Sequence, residues 1–152
     1  MKQLQLVFIL AALSVVGLES AFARGSSFSL SLNQRGLAED GLVLKLESGA
    51  SGCLRELAGQ RKSVSSAVCE TIADLAASAS KEASSAMTPH SPHYEIVGTV
   101  NGKTFSKRTP ISVIKACDAS GRCESNADVV KSQPRLQKLK DALLKLAETT
   151  QK

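Results

Sequence analysis

Histidines and aromatic residues are scarce in this chain of 152 residues. Four Phe, one Tyr and no Trp are present, which argues against an RNA-binding sheet that stacks bases on aromatic rings. The two histidines, His90 and His93, share one Pro-containing segment, and no G-x-S-x-G motif occurs. We therefore expect no enzymatic activity, metal or cofactor. A small hydrolase that depends on one of these histidines is the alternative.

The first 23 residues have the pattern of an export signal. Lys2 supplies a positive start, Leu4 to Leu18 is mostly apolar, and Ala21-Phe22-Ala23 places small residues at the two positions that signal peptidase reads. We expect cleavage near Ala23 and a secreted or periplasmic mature protein. The apolar run is short for a membrane span, and an uncleaved anchor is the alternative. We expect no other transmembrane segment.

Four cysteines remain after such a cleavage. An even number of cysteines in an exported chain predicts disulfides. Local spacing favours Cys53–Cys69 and Cys117–Cys123 among the three possible pairings. A zinc site is the competing interpretation, but the chain has no CxxC pair of the usual metal-binding spacing.

Hydrophobic periodicity predicts strands at the start of the mature chain. Residues 28–33 and 42–47 alternate apolar and polar side chains on either side of a turn, which indicates a hairpin with Leu30, Leu32, Leu42, Leu44 and Leu46 on the core face. Residues 48–52 are expected to be a loop. Residues 59–61 should break the chain, because a disulfide between Cys53 and Cys69 requires it to fold back there.

Two helices are expected. Val64, Val68, Ile72, Leu75 and Ala79 recur at helical spacing and predict a helix over residues 63–80, with Ser63 as its cap. A second apolar stripe predicts a helix over residues 134–148, with Pro134 in its first turn. The stripe residues are Leu136, Leu139, Leu143, Leu146 and Ala147.

The middle of the chain is predicted to form strands. Tyr94 to Val100 and Lys103 to Thr109 flank Asn101-Gly102, which is a strong hairpin signal. A third strand is expected over Ile111 to Ala116. The order β-β-α-β-β-β-α predicts an α+β domain over residues 24–133, with an antiparallel sheet of about five strands, helices on one face and two disulfides. The helix in residues 134–152 docks on this sheet or on a second copy, as in a homodimer.

Charge is unevenly distributed. Residues 24–100 carry seven basic and eight acidic groups, whereas residues 101–152 carry eleven basic and five acidic groups. A basic exported surface suits an acidic protein, anionic lipid or cell-wall polymer, although a solvated face has the same composition. We expect a protein partner. Nucleic acid is not an expected partner for an exported chain.

Residues 27–117 resemble the Streptomyces subtilisin inhibitor family. The features that carry the resemblance are the leucine-rich hairpin before Cys53, the stretch Ser66-Ala67-Val68-Cys69-Glu70, and Val97-Gly98-Thr99-Val100-Asn101-Gly102 followed by Lys107-Arg108 and Cys117. The resemblance implies an exported inhibitor that occludes a serine protease with a rigid loop. Its partner-binding loop would comprise Met87, Thr88, Pro89, His90, Ser91, Pro92 and His93.

The loop departs from the family pattern at two points. The alignment places the cleaved bond near Ser91-Pro92, and a proline after that bond makes a poor protease substrate. Pro89 stands where the family has a loop cysteine, so the disulfide that braces the loop is missing. The bond Met87-Thr88 is the other candidate, in a shifted register.

A second loop suggests a different partner. The segment between Cys117 and Cys123 carries Asp118, Ser120 and Arg122, and a disulfide would make it a rigid projection. It is similar in style to the loop that periplasmic lysozyme inhibitors insert into an enzyme cleft. The alternative function is therefore a periplasmic immunity or interaction protein, which binds a toxin or cell-wall enzyme through this loop or the C-terminal helix. A stapled turn without a partner is the simpler interpretation.

Overall fold

The computed structural model describes residues 27–36, 40–49, 52–84, 91–113, 115–117, 119–121 and 123–149. These residues form eight strands and three helices. The strands are β1 (Phe28–Arg35), β2 (Gly41–Gly49), β3 (Gly52–Leu57), β4 (Gln60–Val64), β5 (His93–Val100), β6 (Lys103–Pro110), β7 (Lys115–Cys117) and β8 (Cys123–Ser125). The helices are α1 (Ser66–Ala79), α2 (Ala127–Ser132) and α3 (Pro134–Glu148).

Six strands form one antiparallel sheet in the order β4-β3-β2-β1-β5-β6. The α+β class is therefore confirmed, but the main sheet has six strands rather than about five. β7 and β8 form a separate two-stranded sheet. The helices α1 and α3 pack against each other and cover one face of the main sheet. None of the helices in the described ranges is long and apolar enough to cross a membrane.

The leucine alternation builds the centre of the sheet, with one exception. Leu30 pairs with Leu46 and Leu32 with Leu44 across β1 and β2, and all four side chains are buried. The pairing register then shifts between Leu32 and Asn33. Such a bulge moves the following side chains to the other face. Leu42 is consequently 54% exposed, and its prediction as a core residue was wrong.

Residues 48, 49 and 52, predicted as loop, belong to strands, and the break predicted at residues 59–61 is a hairpin turn that leads into another strand. β2 continues to Gly49, and β3 and β4 form a hairpin around Ala58 and Gly59. These two residues have φ values of 48° and 77°, as a two-residue hairpin turn requires. The break was therefore placed correctly, but the polar segment after it pairs as an edge strand.

The hairpin brings the first cysteine pair together. β4 returns so that Val64 lies opposite Cys53, and α1 begins two residues later. Cys53 and Cys69 form a disulfide with their Cα atoms 5.7 Å apart, which confirms the first predicted bridge. Of the two predicted disulfides, this is the one that the described residues contain.

The helix and strand boundaries differ from the prediction at several positions. α1 begins at Ser66 rather than at residue 63, because Val64 still belongs to β4. The third predicted strand is shorter than expected. Ile111, Ser112 and Val113 lie outside any strand, and β7 begins at Lys115.

The leucine stripe of α3 is part of the core. Leu136, Leu139 and Leu143 are fully buried, and Ala147 is nearly so. The helix packs on α1 and on the sheet strands β2 and β6. The prediction that it docks on the sheet is confirmed. These four residues are therefore not available to a second copy of the chain.

Gly98 is the point of closest approach between β5 and β1. A Cβ atom at this position would lie 2.7 Å from the backbone oxygen of Ser29 and closer still to Cδ2 of Leu30. We expect Gly98→Ala to lower the free energy of unfolding by about 1–3 kcal/mol, because β1 must move to accept the methyl group. Urea unfolding measures the loss. Gly41→Ala is the control, since a Cβ there meets nothing within 4 Å; equal effects of the two changes would contradict the expectation.

Candidate functional site

The predicted partner-binding loop is only partly visible in the structure. Four of its seven residues lie outside the described part of the chain: Met87, Thr88, Pro89 and His90. Ser91, Pro92 and His93 are described, as are residues 81–84 on the other side. The structure therefore shows how both ends of the segment 85–90 are held.

His93 was predicted as a loop residue, and this was wrong. It is the first residue of β5, where it pairs with Arg35 of β1 and Pro110 of β6, and it is 5% exposed. Its Nδ1 atom lies 2.6 Å from the carbonyl oxygen of Ser91. A carbonyl oxygen only accepts, so Nδ1 carries the proton and donates. His93 therefore fixes the backbone two residues before it.

Two further contacts hold the same end of the loop. The carbonyl oxygen of Pro92 accepts a hydrogen bond from the backbone N–H of Ile111 at 3.4 Å. Gly36, at φ +76°, lies so close that a Cβ would be 3.1 Å from the carbonyl oxygen of Ser91 and 3.2 Å from Cα of Pro92. We call this group the Ser91 anchor: Gly36, Ser91, Pro92 and His93.

The other end of the loop is held by Glu82. Its two carboxylate oxygens accept hydrogen bonds from the backbone N–H groups of Arg135 and Leu136, both at 2.8 Å. The first N–H groups of a helix have no partner within the helix. Glu82 therefore caps α3 and ties the end of α1 to it, although the two residues that it binds are more than fifty positions away in sequence.

Lys107 and Gln133 complete this attachment. Lys107 is 9% exposed, and its Nζ donates to the carbonyl oxygen of Glu82 and to Ser84 Oγ. Gln133 Nε2 donates to the carbonyl oxygen of Ala83 at 3.2 Å, while its Oε1 is buried without a hydrogen bond partner among the described residues. We call Glu82, Lys107 and Gln133 the Glu82 clamp.

Sequence reasoning missed the Glu82 clamp, although one signal for it existed. In β6 the inward positions alternate, and Lys107 stands between the inward residues Phe105 and Thr109 opposite the core residue Ile96. A lysine at such a position has to find acceptors when it is buried. Nothing in the sequence indicated that residues 82–84 would supply them.

Charged side chains surround Glu95 on the face of the sheet that the helices leave open. The Glu95 carboxylate lies 3.5 Å from Arg35 Nε and 3.6 Å from Arg108 Nε, and Arg35 also contacts Asp40 at 3.8 Å. The two arginines are about half exposed, and ion pairs that reach solvent in this way contribute little to stability. They do place two arginines beside the Ser91 anchor.

Glu47, on β2, has a shifted titration. Lys45 lowers the pKa of Glu47, first by a hydrogen bond to its carboxylate at 2.7 Å and then by its charge. A lowered folded-state pKa stabilises the fold above the unfolded pKa, and this contribution is lost as the pH falls through the folded pKa. The pair is exposed and lies outside both loop anchors.

The second predicted loop is the turn between β7 and β8. Asp118 and Arg122 lie outside the described residues, while Ser120 is exposed and Gly121 has a φ of 81°. Cys117 and Cys123 lie directly opposite each other in the two strands, but their side chains are outside the described part. This hairpin is a two-stranded sheet of its own.

The described residues attach both ends of a segment to the fold, and they do not form a cluster of reactive groups. Within the described ranges, no three His, Cys, Asp or Glu side chains lie together as a metal site would require. The Ser91 anchor and the Glu82 clamp instead position the two ends of residues 85–90.

Comparison with known proteins adds no relative to this description. No family model matches the chain, and no curated protein or solved structure matches it either. The resemblance to subtilisin inhibitors thus rests on sequence features alone and stays a prediction.

Proposed function

We propose that the protein is an exported, non-enzymatic inhibitor of a serine protease, which it blocks with the segment that begins at Met87. The observation that carries this proposal is the attachment of both ends of the segment, by the Glu82 clamp on one side and the Ser91 anchor on the other. An inhibitor loop binds tightly when its shape is set before binding, because less conformational entropy is lost.

Non-covalent contacts replace the missing disulfide in this proposal. The family pattern places a cysteine at the position of Pro89, and the brace that it would form is lost here. Lys107 supplies a buried, charged hydrogen bond at one end, and charge-assisted bonds are about twice as strong as neutral ones. Gly36 and His93 hold the backbone at the other end.

In this proposal the peptide bond that lies at the protease active site is Met87-Thr88 rather than Ser91-Pro92. Ser91 and Pro92 are engaged by His93 and Ile111 through their carbonyl oxygens. A protease needs access to the backbone on both sides of the bond it attacks. A methionine before the bond suits proteases that accept a large apolar side chain, such as subtilisin and chymotrypsin.

Export is supported by two features. The residues up to Ala23 have the pattern of a signal peptide, and the Cys53–Cys69 disulfide is typical of proteins in an oxidising compartment.

The direct test is inhibition. The chain from Arg24 to Lys152, folded under oxidising conditions, should inhibit subtilisin and form a complex with it at micromolar concentration, and trypsin should be inhibited far less. Met87→Asp should abolish inhibition, whereas Leu42→Asp, at an exposed position, should preserve it. Absence of inhibition and of any complex with subtilisin, chymotrypsin and trypsin at this concentration would refute the proposal.

Lys107→Met tests the Glu82 clamp. Methionine keeps the aliphatic volume but removes the bond to the Glu82 carbonyl, so the loop should lose its preset shape. We expect inhibition to weaken about tenfold, equivalent to about 1.4 kcal/mol, and the loop to be cleaved faster. Inhibition constants and mass spectrometry of the digest measure both. Lys103→Met, at an exposed position of the same strand, is the control, and identical behaviour of the two variants would contradict this role.

The β7–β8 hairpin supports a second candidate function, binding of a lysozyme or a toxin. Residues directly opposite in antiparallel strands have Cα atoms about 4.5–5.5 Å apart, which suits a disulfide. We propose that Cys117 and Cys123 form one, and that Arg122 contacts the partner. The C-terminal helix is a weaker candidate, because its apolar stripe is buried. Loss of lysozyme binding on Arg122→Ala, with protease binding absent, would favour this function over the first.

A further inference from the structure

A groove opens between the first half of α1 and the last turns of α3, away from the loop. Val68 and Thr71 of α1 form one wall, Ala142 and Leu146 of α3 form the other, and Val64 of β4 contributes to the floor. It has a volume of about 540 Å³, which lies within the range of about 300–1,000 Å³ that small-molecule sites occupy. We call it the α1–α3 groove.

Apolar side chains are left accessible in this groove. Val68 is 42% exposed, although it stands at a helical position where the sequence pattern predicts a core residue. Leu146 is half-buried beside it, although it belongs to the apolar stripe of α3. A single exposed valine needs no explanation. Here it lies in a concave surface together with Leu146 and the already buried Ile72, so a ligand could bury Val68 and Leu146.

The charged side chains that line the groove are both positive. Its lining contains Arg55 and Lys145 and no carboxylate. Arg55 Nη1 donates to the carbonyl oxygen of Leu146 and to Thr149 Oγ1, which fixes the guanidinium at the last turn of α3. Within the described part of the chain, neither Arg55 nor Lys145 forms an ion pair, and Arg55 Nε and Nη2 donate no hydrogen bond.

We propose that the α1–α3 groove binds a free long-chain carboxylate. Its head group would lie at Arg55 and Lys145, where charge-assisted hydrogen bonds are available. Its hydrocarbon chain would cover Val68 and Leu146. The charge complementarity selects an anion, and the apolar walls select a chain. The concave shape and the volume favour a single molecule over a membrane surface.

The site is independent of the proposed protease contact. The groove takes its α1 residues from the first half of the helix, whereas the Glu82 clamp begins beyond its C-terminal end. A helix of 14 residues is about 21 Å long at 1.5 Å per residue. Binding in the groove and inhibition of a protease can therefore be tested separately.

Dodecanoate is the probe for the experiment. Isothermal titration of the full mature chain should show saturable binding of one molecule per chain, and the backbone amide signals of residues 64–72 should shift on addition. Val68→Asp and Lys145→Gln should each weaken binding at least fivefold. Val113→Asp and Lys138→Gln carry the same changes at exposed positions outside the groove and should bind as the parent protein does.

Several results would overturn the proposal. One is the absence of saturable binding up to millimolar dodecanoate. Another is equal binding of dodecyltrimethylammonium, since the same chain with a positive head would show that the two cations play no part. Binding to phosphatidylglycerol vesicles without binding to dodecanoate would assign the surface to a membrane instead. Self-association that is lost on Val68→Asp would assign it to a second copy of the chain.

Discussion

Replacement of both Cys53 and Cys69 by alanine is expected to lower the free energy of unfolding by about 3 kcal/mol. Closing a loop of this length removes that much conformational freedom from the unfolded chain in the entropy model. The bridge also joins β3, next to the sheet edge, to α1, and both cysteines are buried. Urea unfolding followed by circular dichroism measures the change. The oxidised parent protein should lose a similar amount on addition of a reductant.

The second cysteine pair provides the control for this experiment. Cys117 and Cys123 lie in the separate β7–β8 sheet, so replacing them should leave most of the main sheet's stability intact. A protein without the Cys53–Cys69 bridge that unfolds at the parent's urea concentration would show that the edge hairpin and α1 hold together without it.

Leu139→Ala is expected to cost about 2–5 kcal/mol, because it removes a fully buried side chain and leaves a cavity. The effect should appear in the free energy of unfolding and should not depend on protein concentration. This follows from the position of α3, whose stripe packs on α1 and the sheet of its own chain.

Leu42→Ala is the matched control, since Leu42 is more than half exposed and its loss should change stability by less than about 0.5 kcal/mol. If Leu139→Ala left the unfolding of the monomer unchanged but abolished a dimer, the stripe would belong to an interface. Analytical ultracentrifugation of both variants distinguishes these outcomes.

The parts of the fold that were predictable are those where the hydrophobic period is clear. The leucines of β1 and β2 alternate, Asn101-Gly102 marks the β5–β6 turn, and the α3 stripe repeats at helical spacing. Leu42 continues the apolar alternation of the sequence, but its side chain is exposed in the structure. The bulge after Leu32 depends on the pairing of two strands, which local periodicity does not encode.

The β3–β4 hairpin was not predictable for a different reason. β4 reads Gln-Arg-Lys-Ser-Val and is exposed except at Val64, so it has no apolar period to detect. Ala58 adopts a positive φ. An alanine gives no sequence signal for this conformation, whereas an asparagine such as Asn101 does. The neighbouring strand and the disulfide hold this edge in place.

For the candidate site, the sequence predicted the segment but not the contacts that hold it. Two prolines and two histidines mark residues 87–93, but the contacts that hold the segment come from Gly36, Lys107 and Gln133, which are remote in sequence. His93 looked like a loop residue because it follows Pro92. In the structure the strand begins at once, and His93 pairs with β1 on one side and with β6 on the other.

The central position of β1 has a consequence for how the chain reaches this fold. β1 pairs with β2, which follows it directly, but also with β5, so that Phe28 meets Val100. Contacts between such distant segments give a high contact order, and chains of this kind fold slowly. During synthesis, one side of β1 has no partner until residue 100 has emerged. An unpaired strand edge is prone to aggregation, so a holding chaperone should speed recovery of the native protein more than it would for a helical protein of this size.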